Sequence, residues 1–277
     1  MEDLGPFALD HTHTHDFVAA ANGYAYRAWV ATPARKDPGT RRPILYTLDG
    51  NWSFASVVET TRMCAFSGEI PPVIVVGVGY ASPMPAAMFL RDYELTPSTD
   101  NGALERAAQW NEEAGARGHG GADGFLRFIT EELAPAVEEV YGGDPEDRAL
   151  SGFSLGGLFS AYALLQEKLA FQRFVIGSPS LWWDKGKLFE MEECRAAGSK
   201  SMPAHVFISA GEEEEVPGGA LPPWSKMVSN ALEFAVRLSS RGYAGLTIEH
   251  QTISRAGHQQ PPMLVHGLRS IYRDHPG

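Results

Sequence analysis

A serine set among small residues can be turned into a nucleophile, and this chain offers one such place. Gly152-Phe153-Ser154-Leu155-Gly156-Gly157 fits the pattern G-x-S-x-G. On a tight strand-to-helix turn the hydroxyl is lifted clear of the backbone, and the flanking glycines let strand and helix pass close together. The backbone N–H of Leu155, at the start of the helix, would then face a developing oxyanion. The apolar stretch Arg148–Ser151 precedes the motif and a helical pattern over Leu155–Leu169 follows it. That is the context a nucleophile elbow needs, whereas a structural serine in a Gly-rich turn is the plainer alternative.

A nucleophilic serine needs a base, and in such strand–turn–helix hydrolases the chain order is serine, acid, histidine. Of the nine histidines, His250, His258, His266 and His275 come late enough. His250 falls inside a strand pattern, His266 inside a helix and His275 in the tail. His258 sits in the loop Ala256-Gly257-His258-Gln259-Gln260-Pro261, where a general base can hang over Ser154. The acid is expected after the strand His205–Ser209, where Gly211 is followed by Glu212, Glu213, Glu214 and Glu215. Spacing from the glycine selects Glu214, with Glu212 second. A Ser-His dyad or Asp184 are alternatives, and the remaining glutamates read as a solvated turn.

A second oxyanion donor is expected from the loop after Ile44–Leu48, which makes the Asn51 backbone N–H the candidate. His119-Gly120-Gly121 resembles a lipase HGGG signature but lies too far along the chain, so it reads as a loop feature.

These residues have to be held by a scaffold. Short β-branched runs alternate with helical patterns, which predicts an α/β fold with a mostly parallel central sheet flanked by helices. The strands are expected at Pro43–Leu48, Val73–Val78, Arg148–Ser151, Phe174–Ile176, His205–Ser209 and Leu246–His250. The run over 73–78 is apolar throughout, as a strand buried on both faces requires. Asn22-Gly23 between two extended stretches predicts an N-terminal antiparallel hairpin. Phe125, Phe128, Ile129, Leu133, Ala136, Val137 and Val140 make one helical face, with Glu131, Glu132, Glu138 and Glu139 opposite. Helices are also expected over Trp224–Leu238 and Pro262–Tyr272. Residues 91–121 lack periodicity and read as a lid-like excursion, with a plain surface insertion as the alternative. Residues 1–15 read as a mobile N-terminal arm, in which His11, His13 and His15 have no further ligand to complete a metal site.

The chain is 277 residues long, enough for one domain spanning residues 1–277 with a sizeable core. Its formal net charge of -11 argues against a nucleic-acid partner. Cys64 and Cys194 are too few and too far apart for a disulfide framework or zinc signature, and read as two buried thiols. No signal-peptide pattern or membrane-length apolar run is seen, so no membrane partner is expected and the cytoplasm is the expected compartment. Oligomeric state is left open.

With these features in hand, a family likeness emerges. Leu48-Asp49-Gly50, Val78-Gly79-Tyr80, Arg91-Asp92-Tyr93-Glu94-Leu95-Thr96-Pro97, Gly120-Gly121-Ala122-Asp123 and the Ser154 elbow recur in the same order as in a known branch. Ser178-Pro179-Ser180-Leu181-Trp182-Trp183 and Gly267-Leu268-Arg269 continue the pattern. Over about residues 16 to 273 the chain resembles the esterase D / Fes-type α/β hydrolases. The resemblance implies a serine hydrolase of carboxylic esters acting on a small-molecule substrate, without metal or organic cofactor. Trilactone hydrolases that open ferric catecholate siderophores are the members it is most similar to. The same resemblance implies that Arg91 faces the cleft and that Trp182 and Trp183, with Trp52, contact substrate; a structural Arg91 paired with a local carboxylate, and core packing of Trp182 or Trp183, are the plainer alternatives. An acyltransferase or a feruloyl-type esterase on the same triad, and a non-catalytic binding module, are the alternatives. Gln259-Gln260-Pro261-Pro262 after the histidine and the four-glutamate run depart from the usual pattern.

Overall fold

The computed structural model describes residues 8–20, 22–34, 39–100, 102, 118–219, 221–273 and 275. Among the described residues eight strands form one sheet in the order β1-β2-β4-β3-β5-β6-β7-β8. They are β1 (Thr12–Val18), β2 (Ala25–Ala31), β3 (Arg42–Thr47), β4 (Ile74–Tyr80), β5 (Gly143–Phe153), β6 (Arg173–Gly177), β7 (Ser201–Gly211) and β8 (Ala244–Ile253). The hairpin β1–β2 is antiparallel, and β2 is also antiparallel to β4. From β4 through β8 all neighbours are parallel.

Alternation along the strands fills two cores. Ile44 and Tyr46, Ile74 and Val76, and Phe174 and Ile176 enter one cluster. Leu45, Val75, Val175 and Phe207 enter the other. Period-two geometry puts these sets on opposite faces, so the strands need helices on both sides. The second face is covered by α1 (Gly50–Phe66) and, at the chain's end, by the helix Gln260–Ile271. Opposite them lie α2 (Ala86–Glu94), α3 (Ala122–Arg127), α4 (Ala134–Tyr141), α5 (Leu155–Leu164), α6 (Lys187–Gly198) and α7 (Met227–Ser240). The terminal helix is α8.

The chain order creates a switch point. From β3 the chain crosses to β4 on one side, while β5 returns on the other. Open α/β sheets bind ligands at the carboxyl ends of strands at such a point. Here those ends are Leu48-Asp49 after β3 and Ser154 after β5, tied by Leu48 N–H donating to the Ser151 carbonyl at 2.9 Å.

Several expectations need correction. The helix after residue 122 is interrupted by a π-helical turn, Phe128–Leu133. Its wider turn slides the buried face, so beyond Leu133 the buried positions are Ala134, Val137 and Glu138, while Val140 is 68% exposed. Glu138, expected in solvent, instead accepts from Arg148 and Tyr46. The pattern over Leu155–Leu169 ends as a helix at Leu164. Thr12–His15, expected in a mobile arm, pair in β1, and the His15 ring lies 2.6 Å from the Tyr141 hydroxyl. Cys194 is exposed rather than buried. Residues 1–7 of the expected arm, and 101 and 103–117 of the expected excursion, lie outside the described residues.

Candidate active site

The turn at Ser154 has unusual backbone angles, φ 61° and ψ −119°. A non-glycine residue held there stores strain, which persists only where neighbours over-determine it. Ser154 N–H donates to the Gly177 carbonyl at 3.0 Å, and its own carbonyl accepts from Leu158 and Ser180. The glycines explain how the turn closes. A Cβ on Gly152 would lie 2.0 Å from the Gly156 carbonyl oxygen. A Cβ on Gly157 would lie 2.6 Å from the Gly177 carbonyl oxygen. Strand, helix and the next strand's end therefore meet at backbone distance.

Ser154 opens onto a cavity of about 430 Å³ lined by Asp49, Trp52, Met88, Arg91, Phe153 and His258, among others. The ring of His258 lies against Phe153, with centroids 4.5 Å apart. Its Nδ1 is 2.9 Å from Glu214 Oε2. Glu214 is fully buried, and its other oxygen accepts from Gly211 N–H at 2.7 Å and from the Ser178 hydroxyl. In the tautomer whose Nδ1–H donates to the carboxylate, Nε2 is the nitrogen left to accept a proton.

The other three glutamates have different partners. Glu212 accepts from the backbone N–H of Arg255 and from Ser254, which hold its carboxyl below the usual range. Glu213 donates its N–H to the Ala256 carbonyl. Glu215 accepts from Ser229. Asp184 lies in the turn after Trp183 at φ 46°, with no hydrogen bond to His258.

Leu155 and Gly156 open α5, and Gly50 and Asn51 open α1. First-turn N–H groups have no intrahelical acceptor, so both helices start with donors to spare beside the switch point. The Asn51 side chain grips the end of β4, accepting from Tyr80 N–H at 2.8 Å and donating to the Tyr80 carbonyl at 3.0 Å. Gly79 makes room for it, since a Cβ there would lie 2.2 Å from Asn51 Oδ1. Asn51 itself does not line the cavity.

Arg91 does line the cavity, but its guanidinium is bound to Asp49 by two hydrogen bonds of 2.6 and 2.9 Å. Burial works against the cation, and Asp49 outweighs it, holding Arg91 charged. Burial likewise pushes the neighbouring Asp92 carboxyl up. Trp52 lines the cavity and is 45% exposed. Trp182 and Trp183 do not line it. Trp183 is buried and donates its indole N–H to the Ser98 carbonyl, and Trp182 meets Trp224 edge-on. His119 packs edge-on against Trp183, while Gly121 donates to the Tyr93 carbonyl. Met88 at the cavity carries no motif, while Phe153, Gln260 and, behind the cavity, Ser178 were visible only as members of the elbow, the His258 loop and the Ser178–Trp183 block. Asp49 was visible only as part of the Leu48-Asp49-Gly50 block.

Among the described residues no group of three or more His, Cys, Asp or Glu is placed to hold a metal ion. No helix among them is long and apolar enough to cross a membrane.

Residues 21–260 match the family model "Esterase: Putative esterase". The chain is 30% identical over 282 residues to the ferri-bacillibactin esterase BesA of Bacillus subtilis, covering 98% of this chain and 93% of the relative. Among solved structures it is similar to the BES protein from Bacillus cereus, with a TM-score of 0.81 and 28% identity over 98% of both chains. The siderophore hydrolase EstA from Aspergillus nidulans shares the fold, with a TM-score of 0.82 and 23% identity over 100% of this chain and 99% of that one. The architecture they share is the α/β-hydrolase fold.

Proposed function

The chain belongs to this esterase family and is a carboxylic ester hydrolase, and from that premise we propose that it opens siderophore-type lactones with a Ser154–His258–Glu214 triad. The observation that carries the reading is the pairing of His258 Nδ1 with buried Glu214 beside Ser154, in one cavity at the sheet's switch point. The substrate class is supported by the similarity to BesA, an enzyme named for a ferric siderophore ester.

In this reading Ser154 Oγ attacks the ester carbonyl carbon while His258 Nε2 takes its proton. Glu214 holds the imidazole tautomer and stabilises the imidazolium. The backbone N–H of Leu155, at the start of α5, receives the oxyanion, and the start of α1 at Gly50 and Asn51 is the source of a second donor. The intermediate collapses, His258 returns the proton to the departing alkoxide, and an acyl-enzyme is left. Water, deprotonated by His258, then releases the acid and restores the serine. The Arg91–Asp49 pair, Trp52 and Phe153 border the substrate. In a cyclic triester the first turnover yields a linear chain with two esters remaining.

The test is incubation with a tris-catecholate trilactone, metal-free and ferric, with products read by mass. Linear and monomeric hydroxy acids are expected from the wild type. Ser154→Ala should lower kcat/KM by about 10⁴-fold or more. Turnover that survives this substitution would overturn the mechanism. Turnover of simple aryl esters but of neither trilactone form would overturn the substrate.

A further inference from the structure

Between the two halves of the candidate site runs a short segment, Gly177 to Ser180, which follows β6. Its backbone holds Ser154 from both sides. The Gly177 carbonyl accepts the Ser154 N–H at 3.0 Å, and the Ser180 N–H donates to the Ser154 carbonyl at 3.1 Å. Between these two contacts sits Ser178, fully buried, at φ 37°. Its N–H donates to the Ser209 carbonyl at 2.7 Å, tying it to the end of β7. Its hydroxyl donates to Glu214 Oε1, 36 residues further along the chain.

A serine is a costly residue for this place. Positive φ disfavours any side chain, and glycine would relieve the strain. The following Pro179 restricts the backbone further. What serine offers that glycine lacks is the hydroxyl, and the hydroxyl is aimed at the carboxylate. Met263 Sδ lies 3.1 Å from the same oxygen, but a hydroxyl has one proton and the carboxylate is much the stronger acceptor. Glu214 Oε1 thus takes the Ser178 O–H and the Gly211 N–H, which leaves Oε2 for His258.

We propose that Ser178 is a positioning residue of the hydrolytic site. Its hydroxyl fixes the rotamer of Glu214, while its backbone strap fixes that carboxylate relative to Ser154. It touches neither substrate nor reacting atoms and acts through Glu214. The proposal rests on the triad reading above.

The test compares Ser178→Ala and Ser178→Gly on a p-nitrophenyl ester across pH. Both remove the hydroxyl, and the glycine variant also suits φ 37°, so it folds even if alanine does not. Losing a donor to an anion makes the histidine–carboxylate pair bind its proton more tightly. Both variants should therefore lose about 10- to 100-fold in kcat, with KM within about twofold and the acid limb of kcat/KM moved to higher pH. In a Glu214→Gln background, Ser178→Gly should cost little more. A glycine variant with wild-type kcat and an unmoved acid limb would overturn the proposal, assigning the segment a backbone role alone. Were Ser154→Ala also still active, the triad reading itself would fail, which keeps the two failures distinct.

Discussion

At Ser154 the main chain fixes the geometry. The turn is held by a hydrogen bond to the Gly177 carbonyl and by bonds from the Leu158 and Ser180 N–H groups, and by glycines at 152 and 157 that leave no room for a Cβ. At Glu214 and His258, by contrast, side chains fix it. A buried carboxylate is shared among His258, Ser178 and Gly211, and the His258 ring packs tilted against Phe153. The two halves should therefore break differently. Damage to the elbow distorts the sheet-to-helix junction and costs stability. Damage to the acid leaves the fold standing and costs rate.

The largest effect that exposes this difference is expected from Glu214→Gln. A neutral amide cannot accept all three donors or stabilise the imidazolium, so kcat should fall by about 10²- to 10⁴-fold. Glu212→Gln, whose partners are Ser254 and Arg255, should stay within about twofold. Steady-state kinetics on one ester checks both, and equal losses would dissolve the distinction among the four glutamates. Next comes Gly152→Ala. The forced overlap with the Gly156 carbonyl should destabilise the protein by about 3 kcal/mol or more, read in urea unfolding. A third, smaller effect sharpens the comparison at the cleft between α1 and α2. Asp49→Asn leaves the largely buried Arg91 with only the Asp92 carboxylate, 3.8 Å away, and should cost about 2 kcal/mol. Adding Arg91→Met should cost less than the sum of the two single changes.

The smallest effect lies on the acid–base side. Burial pushes the His250 imidazole below its usual pKa of 6.5, so the folded chain binds fewer protons there than the unfolded chain. Its contribution to stability rises with pH through the window between that lowered value and 6.5, and is lost on acidification. Urea midpoints at pH 7.5 and 5.5 should therefore differ less in His250→Gln than in the wild type.

The same contrast explains what could be read from the sequence. The elbow is local, six residues between a strand and a helix, and local chemistry leaves a local signature. Among the parallel strands, β3, β4 and β6 were legible because they are buried on both faces and run largely apolar. The strand at 12–15 was hidden because His13 and Thr14 are exposed at the sheet edge, where nothing makes them apolar. Val140 was misplaced because a π turn adds a residue to the helical repeat, and no periodicity count contains that shift. Choosing among Glu212 to Glu215 rested on spacing alone, since four identical residues in a row carry no further contrast. The Asp49–Arg91 pair spans 42 residues and Ser178–Glu214 spans 36, so both depend on where the sheet brings strand ends together. Arg91 illustrates the limit well. A cleft-facing place and a local carboxylate partner were the two expectations, and both hold, while the identity of that carboxylate, Asp49, came only with the fold.

The central claim is that Ser154 is the nucleophile activated by His258, and a fluorophosphonate probe tests it most directly. The intact mass of the wild type should rise by one adduct, and peptide mapping should put it on Ser154, with hydrolysis lost in step. Ser154→Ala should take no adduct, and His258→Ala should take it far more slowly. An adduct on another residue that abolishes activity, or full hydrolysis by a protein fully modified at Ser154, would contradict the account.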